Sequence, residues 1–141
     1  MRNSRAQALG TVNRQVIGLY WSIGRDILQR QDAEGWGSRV IGRLADDLRA
    51  EFPEMTGFSR RNLQYMRSMA KVWGGEPNVP QPVAHLPWGH ICVLFDKFED
   101  RKVLDWYAAA AVEYGWTRDV LLNMIMGQAM ERTGSAPSNF A

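Results

Sequence analysis

The sequence of 141 residues predicts an all-α fold, a compact bundle of about six helices with a helix-turn-helix-like unit that a winged-helix-like arrangement would also fit. Three observations predict it. Apolar residues recur at helical spacing through nearly every segment. Hydroxyl or carboxylate residues suited to capping stand just before several of those segments, and Gly or Pro stands just after them. Clean period-two alternation is missing, and the one short apolar run that also fits a buried strand, Ile91-Cys92-Val93-Leu94-Phe95, has no clear partner.

The first helix is expected from about Arg5 to Gln31. Wound at ~100° per residue, it places Leu9, Val12, Val16, Leu19, Tyr20, Ile23 and Ile27 on one stripe. Ile17, Trp21 and Leu28 form a second stripe beside it. This apolar surface is wider than one packing partner needs, so the helix is either central in a bundle or shared with a second subunit. Gly10, Gly18 and Gly24 weaken the helix but permit another backbone to come close. Gly35 and Gly37 break it, and Ser38 caps a second helix with a buried stripe of Ile41, Leu44, Ala45, Leu48 and Phe52, closed by Pro53.

A third helix follows the turn PEMTGF. Ser59 is its N-cap, Phe58 can staple to Leu63, and Gly74-Gly75 end it. Leu63, Met66, Ala70 and Trp73 share one face; Arg60, Gln64, Arg67 and Lys71 lie opposite, with Arg61 and Ser68 at the edge. Gly74 to Pro87 holds four prolines and reads as an interior linker. Pro87 opens a short helix through Ile91, Leu94 and Phe95. Asp100 caps another with Leu104, Tyr107, Ala108, Ala111 and Val112 as apolar positions, and Gly115 stops it. Thr117 starts the last, carrying Val120, Leu121, Met124, Ile125 and Met130.

Two of these helix starts echo each other: Gly57-Phe58-Ser59-Arg60-Arg61-Asn62-Leu63 and Gly115-Trp116-Thr117-Arg118-Asp119-Val120-Leu121. Each is Gly, aromatic, hydroxyl cap, Arg, two variable residues and Leu. The second copy sets Asp119 in the first turn, where the helix dipole favours a carboxylate. The first sets Arg60 and Arg61 there, at a cost of a few tenths of a kcal/mol or more each.

Charge is unevenly spread. Residues 1–75 carry 12 Lys/Arg and 7 Asp/Glu, whereas residues 76–141 carry 5 and 8, within a net charge of +2. The basic half is almost wholly arginine, which grips phosphates and guanine edges with a two-pronged fork. Helix, turn and helix with a cationic outer face form a helix-turn-helix layout, although PEMTGF is long for the turn. Arg60, Arg61, Gln64, Arg67 and Lys71 are the expected nucleic-acid contacts, Arg61 and Gln64 towards bases, Arg67 and Lys71 towards phosphates. An ordinary solvated face fits the same spacing.

Other chemistry is thinly supported. No nucleophile elbow, phosphate loop or Ser/His/Asp arrangement is present. Asp100-Arg101-Lys102 matches a D-x-K nuclease fragment only formally, because Asp100 reads as a cap. Trp88 and His90 could meet a nucleic acid, but core packing for Trp88 and a helix-end contact for His90 are the simpler roles. One cysteine, Cys92, allows no internal disulfide, and with two histidines it leaves too few ligands for structural zinc. No cofactor or metal is expected. No apolar run reaches the ~20 residues of a membrane span, and a reducing cytoplasm is the natural setting.

Gly35-Trp36-Gly37, Gly57-Phe58-Ser59-x-Arg61-Asn62-Leu63-x-Tyr65-Met66-Arg67, Leu86-Pro87-Trp88-Gly89-His90, Asp105-Trp106-Tyr107 and Gly115-Trp116-Thr117-Arg118 together resemble the N-terminal domain of the bacterial YhcG-like proteins. The resemblance covers about residues 10–133 and departs at Asn123-Met124. It implies a helical domain, here residues 1–135, with 136–141 leading towards a nuclease domain of the PD-(D/E)XK superfamily that relatives carry; the proline-rich composition of 74–86 separately suggests a linker between subdomains 1–73 and 87–133. The expected function is therefore a non-catalytic nucleic-acid-binding domain, for DNA rather than RNA, that targets an associated nuclease. The alternative is an oligomerisation or partner-docking module, with a homodimer as the expected assembly.

Overall fold

The computed structural model describes the backbone of residues 2–34, 37–75 and 79–133, and the side chains among them except those before residue 8 and at 33–38. The helices are α1 (Arg2–Glu34), α2 (Gly37–Glu51), α3 (Arg60–Trp73), α4 (Gln81–Ala84), α5 (Trp88–Lys97), α6 (Arg101–Tyr114) and α7 (Arg118–Met126), with a further helical turn over 129–133. The described residues contain no strand, so the fold is all-α and no wing accompanies the helices. Ile91–Phe95 lies within α5. The break at Gly35-Trp36, the capping side chain of Ser38 and the tail from 134 fall outside the described residues.

The chain divides into two units. One comprises residues 14 to 80; the other joins residues up to Asn13 with those from Gln81 onward. The division therefore falls inside α1 rather than only at the proline-rich stretch. That stretch is also more ordered than a linker at its C-terminal end, where α4 buries Val83 and the following turn buries Leu86.

In the first unit, α1, α2 and α3 build a core from Ile17, Tyr20, Trp21, Ile27, Val40, Ile41, Leu44, Ala45, Phe58, Leu63, Met66, Met69, Ala70 and Trp73. The buried face of α1 lies between the two expected stripes, centred on Gly24. The physical reason is contact between backbones: a Cβ at Gly24 would overlap the carbonyl oxygen of Met66 and stand 3.0 Å from the Ala70 Cβ. Only glycine allows α3 to settle there. Leu19, expected on the principal stripe, is consequently 43% exposed; Leu9 and Val12 of the same stripe, which belong to the other unit, are 65% and 55% exposed.

Phe52 also departs from expectation. It was placed on the buried stripe of α2, but Pro53 forbids a further helical residue before it. Phe52 ends outside the helix, largely exposed, with its ring tilted against Phe58 at 6.3 Å across the turn.

In the second unit, α4 to α7 pack around Ile91, Leu94, Leu104, Tyr107, Ala108, Ala111 and Leu121. Phe98 stacks on Tyr107 at 5.1 Å, and Trp106 meets the edge of Tyr107 at 4.8 Å. Asn13 donates to the Leu86 carbonyl at 3.0 Å, tying the start of α1 to this unit. Gly115 takes φ +63, and the Trp116 and Gly115 amides turn back to the Ala111 and Val112 carbonyls. This is a Schellman stop, and it needs the left-handed residue. Ala110 extends the buried face on one flank of α6, which leaves Val112, on the other flank, exposed. The last helix likewise stops earlier than expected, because Gly127 ends α7 and Gln128 takes φ 56 before the final turn that carries Met130.

Gly24→Ala should lower the unfolding free energy by about 3 kcal/mol through overpacking. Gly18→Ala, where a Cβ meets nothing within 4 Å, should raise it by up to about 1 kcal/mol from helix propensity. Urea titration of both variants separates close approach from propensity.

Candidate nucleic-acid interface

The cationic helix begins with a fully formed cap. Ser59 is extended at φ −71, and its hydroxyl accepts from the Asn62 amide at 3.1 Å. Thr117 does the same for the Val120 amide at 3.2 Å. The two glycines that precede the aromatic residues, Gly57 at φ +102 and Gly115 at φ +63, both occupy the left-handed side of the map. Phe58, Leu63 and Leu121 are buried, while Trp116 is half-buried. One local device thus starts a helix in each unit, with Arg60 and Arg118 at the same position and Arg61 in α3 where α7 has Asp119.

The five candidate residues of α3 do not form one uniform surface. Arg60, Gln64 and Lys71 are exposed. The Arg61 guanidinium donates twice to the Tyr65 hydroxyl, at 3.2 and 3.0 Å, and lies over that ring at 5.6 Å. Arg67 is half-buried, and its Nε donates to Gln31 Oε1 at 2.6 Å, joining α3 to α1. The middle of the stripe therefore serves packing as well as surface charge.

Arg60 leads to residues that spacing on α3 alone did not reveal. Its guanidinium reaches back over α2, so that its Nη2 is 3.3 Å from the position a Cβ would take on Gly42. Here a pocket of about 510 Å³ is lined by Arg39, Gly42, Arg43, Asp46 and Arg60. Asp46 is held by Arg49 at 2.7 Å. Arg39 and Arg43 stand one helical turn apart on α2, a same-face spacing that was visible in the sequence once that helix was wound.

The second unit offers a different concavity, about 550 Å³, lined by Trp106, Tyr114, Trp116, Met124, Ala129, Arg132 and Thr133. His90 is buried and its Nε2 donates to the Trp116 carbonyl at 2.7 Å, so it supports the α6–α7 connection. Trp88 beside it is half-buried. Asp100 accepts from the Lys102 amide at 2.9 Å, the geometry of a cap rather than of a metal ligand beside a catalytic lysine. Among the described residues no group of three or more His, Cys, Asp or Glu side chains converges to hold a metal. No helix among them is long and apolar enough to cross a membrane.

The Arg67–Gln31 bond generates a stability prediction. Arg67→Ala and Gln31→Ala should each cost about 1–2 kcal/mol, and the double variant should cost less than their sum because the pair shares one contact. Additive losses in denaturant titrations would remove this tie between α1 and α3.

A family model, the DUF1016 N-terminal domain, matches residues 1–132. No curated protein and no solved structure gives a significant match to the chain. The match takes in α1 to α7, both copies of the capping device and all five candidate contacts on α3. The chain is therefore a member of the DUF1016 N-terminal domain family, the YhcG-like family that its ordered motifs resemble.

Proposed function

We propose that this domain binds nucleic acid, DNA in particular, and directs a PD-(D/E)XK nuclease associated with it. The supporting observation is the comparison between the two capping devices. Both hold their helices with hydroxyl-to-amide bonds of nearly equal length, 3.1 Å at Ser59 and 3.2 Å at Thr117. Both copies carry an arginine directly after the cap, Arg60 and Arg118, but the next position is Arg61 in one and Asp119 in the other, so the device forms without a second cation. Cations in a first helical turn oppose the dipole, so their presence is best explained by an anionic partner. Exposed Gln64 and Lys71 continue the same face. In this reading Gln64 reaches towards base edges and Arg60 and Lys71 meet phosphates, while Arg61 must leave or share its contact with Tyr65 to take part.

A second reading has its own support. Leu9 and Val12 leave apolar surface at the start of α1 uncovered, and a docked partner or second copy would cover it. The two roles are compatible, since a dimer would double the phosphate contacts.

Fluorescence anisotropy with duplex DNA across a salt series tests the first reading. The Arg60→Gln/Arg61→Gln/Lys71→Gln variant should bind at least tenfold more weakly at low salt, with a salt slope shallower by roughly two to three. Wild-type affinity and slope in this variant would rule it out. Sedimentation equilibrium tests the second: the chain should self-associate, and Leu9→Gln/Val12→Gln should be monomeric. A wild-type chain that stays monomeric at high concentration would exclude the homodimer.

A further inference from the structure

We infer that Arg39 and Arg43 of α2, with Arg60 of α3, form a seat for a single backbone phosphate of the bound nucleic acid. This rests on the nucleic-acid reading above and extends it to a helix outside the Arg60–Lys71 face. The pocket of about 510 Å³ is lined by four charged side chains and a glycine, with no apolar side chain among them. That composition disfavours the usual small organic ligand, whose pockets are mainly apolar. Three guanidinium groups and one carboxylate line the pocket, a formal excess of two positive charges; Asp46 meets Arg49 at 2.7 Å, and Arg43 has a contact of its own.

Stability alone does not explain this grouping. Arg39 lies in the first turn of α2 and Arg60 in the first turn of α3, and neither turn contains an acidic residue. Each arginine opposes its helix dipole. Arg39 and Arg43 are also like charges at i and i+4, which repel by a few tenths of a kcal/mol. Two arginines set against their helix dipoles and one like-charge pair thus meet at one pocket, with Asp46 and Asp47 three and four residues beyond Arg43 offsetting part of the repulsion. An anion held by forked donors reverses all three.

Gly42 completes the seat. It is buried between Arg39 and Arg43, and the Arg60 guanidinium rests against it, 3.3 Å from where a Cβ would stand. A side chain there would push Arg60 away from the two arginines of α2. Glycine in mid-helix weakens α2 by about 1 kcal/mol relative to alanine, and the open floor is what it provides in return. Both elements belong to the same unit, so α2 and α3 present the pocket as one surface.

The test compares the wild-type chain with Arg39→Gln/Arg43→Gln in the duplex-DNA salt series. Arg30→Gln/Arg118→Gln, which removes equal charge outside the pocket, is the control. The pocket variant should lose at least tenfold in affinity. Its salt slope should fall by about one rather than two, because both arginines serve one phosphate. Affinity and slope matching the control would overturn the seat while leaving DNA binding through α3 intact. If the wild-type chain binds no duplex, the nucleic-acid reading fails, and inorganic phosphate decides the seat. Phosphate-dependent shifts of the Arg39, Arg43 and Arg60 Nε–H resonances in the wild-type chain, with the Arg60 shift abolished in the pocket variant, would retain it as a free-phosphate site. Unmoved resonances would overturn it as well. Gly42→Leu supplies a variant with unchanged charge: it should weaken duplex binding as the double variant does, and wild-type binding by a folded Gly42→Leu chain would count against the seat.

Discussion

The contact between Gly24 of α1 and the Met66 carbonyl of α3 governs much of the first unit. Two helical backbones meet without a side chain between them, so the rotation of α1 about its axis is fixed at that point. Ile17, Tyr20, Trp21 and Ile27 are then drawn into the core, and Leu19 is turned outward. The same rotation carries Gln31 to Arg67, so an exposed-looking position on the cationic stripe becomes half-buried and bonded. A backbone contact at one glycine thus decides which arginines remain at the surface.

Against this constraint, the legible and illegible parts of the fold have clear physical origins. Helix existence, the caps at Ser59, Asp100 and Thr117, and the stop at Gly115 depend on residues close in sequence, and the structure contains each of them. The buried side of α1 depends on what lies across from it. Its apolar residues cover so much of the circumference that hydrophobicity alone could not choose among them. Met69 and Val40 were missed for the same reason, being at the flank of stripes whose centres were correctly placed. Phe52 and Val112 were misplaced at helix ends, where winding at a constant angle no longer describes the chain.

The candidate interface was legible only along one helix. Arg60, Gln64 and Lys71 are exposed as their spacing on α3 suggested. The pocket shared by α2 and α3 required knowing that Arg60 folds back over Gly42, a relation between residues far apart in sequence. Tyr65 and Gln31 were invisible as partners because their contacts depend on side-chain reach, not on period. The division of the chain inside α1 has the same character: composition marked the proline-rich stretch, whereas contacts assign the first residues of α1 to the later helices.

The repeated helix start has one more consequence. Its glycine, aromatic residue, hydroxyl, leucine and the arginine after the cap recur in both copies, whereas the two positions between that arginine and the leucine differ. Surface chemistry at those positions can drift by mutation while the scaffold stays constant. Arg61-Asn62 and Asp119-Val120 are then two outcomes of one permissive grammar within a single chain.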